Sequence, residues 1–147
     1  MIRVPLLPSL LLVALSFATP RSVHAQDKPT TATAESQLAK LLTGTWVLVG
    51  APGEGGEVPP AGGRLHFFTG KHWLITQADP KTGVVIFHHG GTYILDGDKL
   101  VKKVEYANES TAALIGKSHS FKVAVDGDTY TQTGIDNEYN EVWKRVK

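Results

Sequence analysis

Two tryptophan-bearing apolar segments bracket the foldable part of the chain, and they limit its fold more than any other feature. The first is Leu41-Leu42-Thr43-Gly44-Thr45-Trp46-Val47-Leu48-Val49-Gly50. There a short helical turn ends at a glycine and an apolar strand begins at once. The second, Glu141-Val142-Trp143-Lys144-Arg145-Val146, is a strand at the far end. Short β-prone runs fill the interval, separated by turns rich in glycine, proline and aspartate. Consecutive hairpins predict an antiparallel meander. Pairing its first and last strands removes both exposed edges. The expected fold is therefore all-β: an antiparallel up-and-down barrel of about eight or nine strands with a short N-terminal helix. A sandwich is the alternative, but its Greek-key crossovers need longer connections than most of these.

The chain has 147 residues, and three regions are expected. Residues 1–25 read as a secretory signal peptide: Arg3 at the start, an apolar run densest from Leu10 to Ala18, then Val23-His24-Ala25 before the cut. The run is too short and too broken by proline for a spanning helix. The protein is accordingly expected to be secreted or periplasmic, with no membrane span after cleavage. Residues 26–35 lack apolar periodicity and read as a disordered lead-in. Residues 36–147 form the barrel domain. Loss of Arg3 and Arg21 turns the formal charge of +1 into −1. No basic patch suits a phosphate backbone, so nucleic acid is not an expected partner. There are no cysteines, which excludes thiolate catalysis, cysteine zinc sites and disulfides. A domain of about 120 residues can instead be held by one apolar core.

Leu38, Leu41 and Leu42 recur with helical spacing after Ser36, a candidate N-cap, and stop at Gly44. Residues 51–63 hold five glycines and three prolines, a composition for a long loop that serves either as a lid or as a passive connector. Strands are expected over 45–50, 64–69, 71–78, 84–89, 92–95, 99–107, 117–125, 129–135 and 139–146. Gly90-Gly91 breaks or bulges one of them. Asp96-Gly97-Asp98 and Asp126-Gly127-Asp128 are hairpin turns. They lack the further ligands of a calcium loop. A single helical turn is expected over 110–115.

Gly44-Thr45-Trp46 after a helical turn resembles the Gly-x-Trp opening of lipocalins. The resemblance implies that Trp46 plugs the barrel floor and that Arg145, beside Trp143 on the last strand, packs across it. A wider resemblance, to small secreted bacterial lipocalin-like domains of unassigned function, covers nearly the whole mature chain. It rests on Gly70-Lys71-His72-Trp73, Gly90-Gly91-Thr92-Tyr93, Leu95-Asp96-Gly97-Asp98, Val104-Glu105-Tyr106, Ile115-Gly116-Lys117 and Glu141-Val142-Trp143-Lys144-Arg145. The disulfide and the long helix after the barrel of larger lipocalins are missing.

Strand alternation groups the polar candidates. Tyr130 and Gln132 share a face; so do Glu141, Trp143 and Arg145. Leu100, Lys102, Val104 and Tyr106 share another. Periodicity alone does not say which mixed face points inward. The candidate ligand-binding set is His72, Tyr93, Tyr106, Tyr130, Gln132 and Glu141, since a small-ligand site is apolar with a few convergent polar groups. The bland reading puts these tyrosines and the glutamine at the barrel ends and the charges in water. No metal or cofactor is expected: His88 and His89 are adjacent, so a strand points them to opposite faces. No nucleophile motif occurs, and an enzyme would need a pair such as His72 with Glu141 or Glu105. Three functions stay open. The first is a binder of a small apolar or amphipathic molecule inside the barrel. The second is an interaction module using the rim loops. The third is an enzyme with a histidine–carboxylate pair in a cleft.

Overall fold

Why a meander closes is visible in the register of its ends. Strand β1 (Gly44–Gly50) pairs antiparallel with β8 (Glu141–Arg145), setting Trp46 opposite Arg145 and Leu48 opposite Trp143. Between them run β2 (Leu65–Phe68), β3 (His72–Ala78), β4 (Val85–Asp96), β5 (Lys99–Ala107), β6 (Ser118–Asp126) and β7 (Thr129–Ile135). Each pairs with the next, giving a closed eight-stranded barrel. The computed structural model describes residues 31–51 and 63–147. The expected leader 1–25, residues 26–30 of the lead-in and nearly all of loop 51–63 lie outside them.

Two elements differ from the sequence expectation. Helix α1 spans Thr31–Leu42, beginning before Ser36, because Ala32 and Ala34 favour helix. The runs at 84–89 and 92–95 are one strand, β4. Gly90 and Gly91 do not end it; the β4–β5 register shifts there, with Gly90 opposite Tyr106 and Gly91 opposite Val104. Glu105 is the extra residue of this bulge. A Cβ on Gly91 would collide with the Lys103 carbonyl oxygen, so glycine lets the two strands stay paired. A 3₁₀ turn, Glu109–Leu114, links β5 to β6, and the Asp-Gly turns carry positive φ at Gly97 and Gly127.

The inner faces of the strands form one core. Trp46, Tyr130 and Trp143 are fully buried, with Phe68 and Leu42 beside them. The Trp46 and Tyr130 rings lie 5.5 Å apart, and Phe68 meets Tyr130 edge-on at 5.7 Å. These rings fill the barrel at the α1 end. The end of α1 is fastened to them: the Trp46 indole donates to the Leu42 carbonyl at 2.8 Å. Arg145 donates to the carbonyls of Leu41 and Thr43. Carbonyls at a helix C-terminus lack partners within the helix, and these bonds supply them. At the other end, reached by the turns 79–84, 108–117 and 136–140, the described residues leave the barrel unfilled.

Candidate functional site

The unfilled end holds a cavity of about 310 Å³. Its walls are mainly apolar: Trp73 and Ile75 from β3, Phe87 from β4, Phe121 from β6, and Leu114 from the 3₁₀ turn. Strand alternation places these side chains inward. It also sends inward the polar residues sharing their faces: His89, Lys102, His119, Gln132 and Glu141. Arg64 and Tyr139 complete the lining.

A hydrogen-bonded chain crosses this wall. Gln132 lies opposite Glu141 in the β7–β8 register, and its Nε2 donates to Glu141 Oε2 at 2.6 Å. The Gln132 Oε1 accepts from the Tyr130 hydroxyl and from Lys102 Nζ at 3.2 Å. The other carboxylate oxygen of Glu141 faces Arg64 Nη1 at 3.9 Å. Arg64 also donates to Gln77 at 3.2 Å and lies 4.2 Å over the Phe87 ring. One amide thus joins a buried lysine, a buried phenol and a carboxylate.

Burial governs the charge of these groups. Lys102 is 3% exposed. Loss of hydration pulls its pKa down to about 8, partly opposed by Glu141. The Trp73 and Phe121 ring centroids lie 4.8 and 4.3 Å from its ammonium. Burial, then the Lys102 and Arg64 charges, lowers His89 to about 4. Burial and Lys102 also lower His119 and, most strongly, His66. Burial, then Glu141, raises Tyr130 well above its ordinary range. At neutral pH the imidazoles are therefore neutral, the phenol is protonated, and Lys102 remains largely a cation.

The residues singled out from the sequence fall into three places. Gln132 and Glu141 line the cavity, and Tyr130 supports them from below through its hydrogen bond to Gln132. Tyr93 is buried in the core, edge-on to Phe68 at 5.3 Å. His72 and Tyr106 are exposed; His72 faces away from the interior because Trp73 faces into it. An acid–base pair of His72 with Glu141 is thereby ruled out. Lys102, His89, His119 and Arg64 were not among the sequence candidates. For Lys102 the signal was present, a lysine between Leu100 and Val104 on an otherwise apolar face. Among the described residues no group of three or more histidine and acidic side chains could hold a metal ion.

Barrel, floor and cavity together define the class: this is a lipocalin-like β-barrel. Solved structures show the same fold. A lipocalin-like protein from Bacteroides uniformis superposes with a TM-score of 0.52 at 16% identity, over 72% of this chain and 99% of that one. An uncharacterized protein from Bacteroides eggerthii gives 0.51 at 15% identity, over 71% and 99%. No protein-family model matches the chain, and no curated protein matches it.

Proposed function

We propose that the protein binds a small apolar or amphipathic molecule in the open half of its barrel. It would act outside the cytoplasm after removal of residues 1–25. The cavity of about 310 Å³ carries this reading. It is walled by aromatic and aliphatic side chains and holds a few convergent polar groups, as small-molecule sites do. Gln132 and Glu141, with Lys102, are the polar contacts a ligand would meet. The lipocalin-like neighbours support the fold on which the reading rests. Titration with N-phenyl-1-naphthylamine, a neutral apolar fluorophore, tests it. Saturable binding of one equivalent, lost in a Leu114→Trp variant that fills the cavity, is expected. Fluorescence that rises without saturation, or is unchanged by Leu114→Trp, would refute the reading.

One observation favours a second reading, an interaction module. Val84, Val85 and Ile86 are 62, 50 and 46% exposed beside the turn at the cavity end, and adjacent exposed apolar residues often mark a contact surface. In that case Ile86→Lys abolishes partner binding and leaves fluorophore uptake unchanged.

A further inference from the structure

We infer that the cavity selects a monocarboxylate, its headgroup held at the Lys102 ammonium and its apolar remainder against Trp73 and Phe121. This inference rests on the reading that the cavity takes up a small molecule, and it names the chemistry of that molecule.

The argument starts from unused hydrogen-bond donors. An ammonium has three N–H groups. Among the described residues Lys102 Nζ makes one hydrogen bond, to Gln132 Oε1. That oxygen also accepts from Tyr130, so both its lone pairs are taken. No carboxylate oxygen lies within 4.0 Å of Lys102 Nζ among the described residues. Glu141 is drawn the other way, to Gln132 Nε2 and Arg64. Two ring faces help the cation, but aromatic faces do not replace the hydration lost on burial. An anion in the cavity would supply what they do not.

The same surroundings choose among anions. Among the described residues Lys102 and Arg64 face one carboxylate, Glu141, so the described lining has a surplus of one positive charge. A dianion such as a phosphate monoester would meet Glu141 with too few donors to offset the repulsion. A monoanion matches the surplus. His89 lines the same cavity, and its buried Nδ1 has no hydrogen-bond partner among the described residues. A neutral imidazole supplies one N–H, suited to the second oxygen of a carboxylate. The other groups packed about Lys102 carry no added charge at neutral pH: Tyr93 and Tyr130 are protonated, and His66 and His119 are neutral.

Octanoate, 1-octanol and octylammonium, equal in chain length with anionic, neutral and cationic heads, test this by calorimetry at pH 7. Octanoate should bind about tenfold or more tighter than octanol, and octylammonium weakest. Lys102→Met should remove the octanoate preference, weakening octanoate about tenfold more than octanol. Equal affinities for octanoate and octanol in the native protein would overturn the inference. So would equal loss of both in Lys102→Met. If N-phenyl-1-naphthylamine binds in the cavity while octanoate shows no preference, the inference fails alone. If neither enters, the reading beneath it fails too. A measurement needing no variant follows the Lys102 side chain by NMR. Octanoate should raise its titration midpoint while octanol does not, and an unmoved midpoint with octanoate bound would refute the headgroup assignment.

Discussion

Arg145 lies over Trp46 across the seam that closes the barrel, its guanidinium carbon 4.1 Å from the ring centroid. The two residues are opposite partners in the β1–β8 register, so the stack and the closure are one arrangement. The same guanidinium donates to two carbonyls at the end of α1, where a cation is favoured by the helix dipole. Gly44 makes room for it: φ is +139°, and a Cβ there would sit 2.7 Å from Arg145 Nη1. The glycine of Gly-x-Trp and the distant arginine thus depend on each other.

Arg145→Leu removes the stack and leaves two helix-end carbonyls without their charged donor. Hydrogen bonds from a charged group and a cation over an indole together make the expected loss about 3 kcal/mol. Arg145→Lys should recover less than half of it, because an ammonium cannot both stack flat and reach two carbonyls. Urea unfolding followed by tryptophan fluorescence reads both values. Equal stability of Arg145→Lys and the native protein would show that charge alone is needed there.

Gln132 is the joint of the polar chain in the cavity wall. Gln132→Leu leaves Lys102, the Tyr130 hydroxyl and Glu141 without the partner they share, with an expected cost of about 4 kcal/mol. Lys102→Met leaves no such orphan, since Gln132 still accepts from Tyr130 and donates to Glu141. Combining the two should cost about 1–2 kcal/mol less than the sum of the single effects, as neighbours in one network do not add. Strict additivity in the urea midpoints would show that the lysine and the amide are energetically independent.

The barrel was legible in the sequence because its signals are local. Hairpin turns at Asp96-Gly97 and Asp126-Gly127, Trp46 and Trp143 at the two ends, and alternation within Phe121, Val123 and Val125 each survive without tertiary context. The strand count was ambiguous because Gly90-Gly91 has two meanings. A pair of glycines can end a strand, or admit the close approach of a neighbour, and the contact with Lys103 decides for the second. The site was only partly legible. Alternation put Gln132 with Tyr130 and Glu141 with Trp143, but inward and outward are equivalent to periodicity alone. The sequence puts Lys102 on an apolar face, between Leu100 and Val104, without saying that the face is buried. A lysine is ordinarily exposed, and only the three-dimensional packing of Trp73, Phe121 and Gln132 around it makes burial tolerable. His72 and Tyr106 stand on the outer face, away from the cavity.

Acid should destabilise the fold through its buried imidazoles. His66 is fully buried between Phe68 and Trp143, with ring centroids at 4.2 and 5.0 Å, and its pKa lies well below 6.5. His89 is lowered to about 4. Below pH 6.5 the unfolded chain takes up protons that the native protein refuses, so stability falls with falling pH. For His89 this loss runs from about 6.5 to about 4. Each histidine contributes up to about 1.4 kcal/mol per pH unit. His66→Leu should therefore reduce the loss between pH 6.5 and 5 by up to about 2 kcal/mol. Urea midpoints of both proteins at the two pH values test this; parallel losses would mean that His66 is not the group refusing the proton.

The alkaline side should behave in the opposite sense to a lysine that gains a partner. Lys102 is held at about 8 in the native protein and titrates near 10.4 when the chain is unfolded. Its burial therefore costs about 3 kcal/mol while it is charged in both states, below pH 8. Between pH 8 and 10.4 the unfolded chain holds a proton that the native protein has released. Stability contributed by this site rises across that window, and the penalty is gone above it. Lys102→Met should accordingly stabilise the protein by about 3 kcal/mol at pH 7 and by almost nothing at pH 10.5. An advantage of Lys102→Met that is the same at both pH values would place its origin in packing. One that vanishes at high pH identifies the buried charge, and with it the group that an anionic ligand would neutralise.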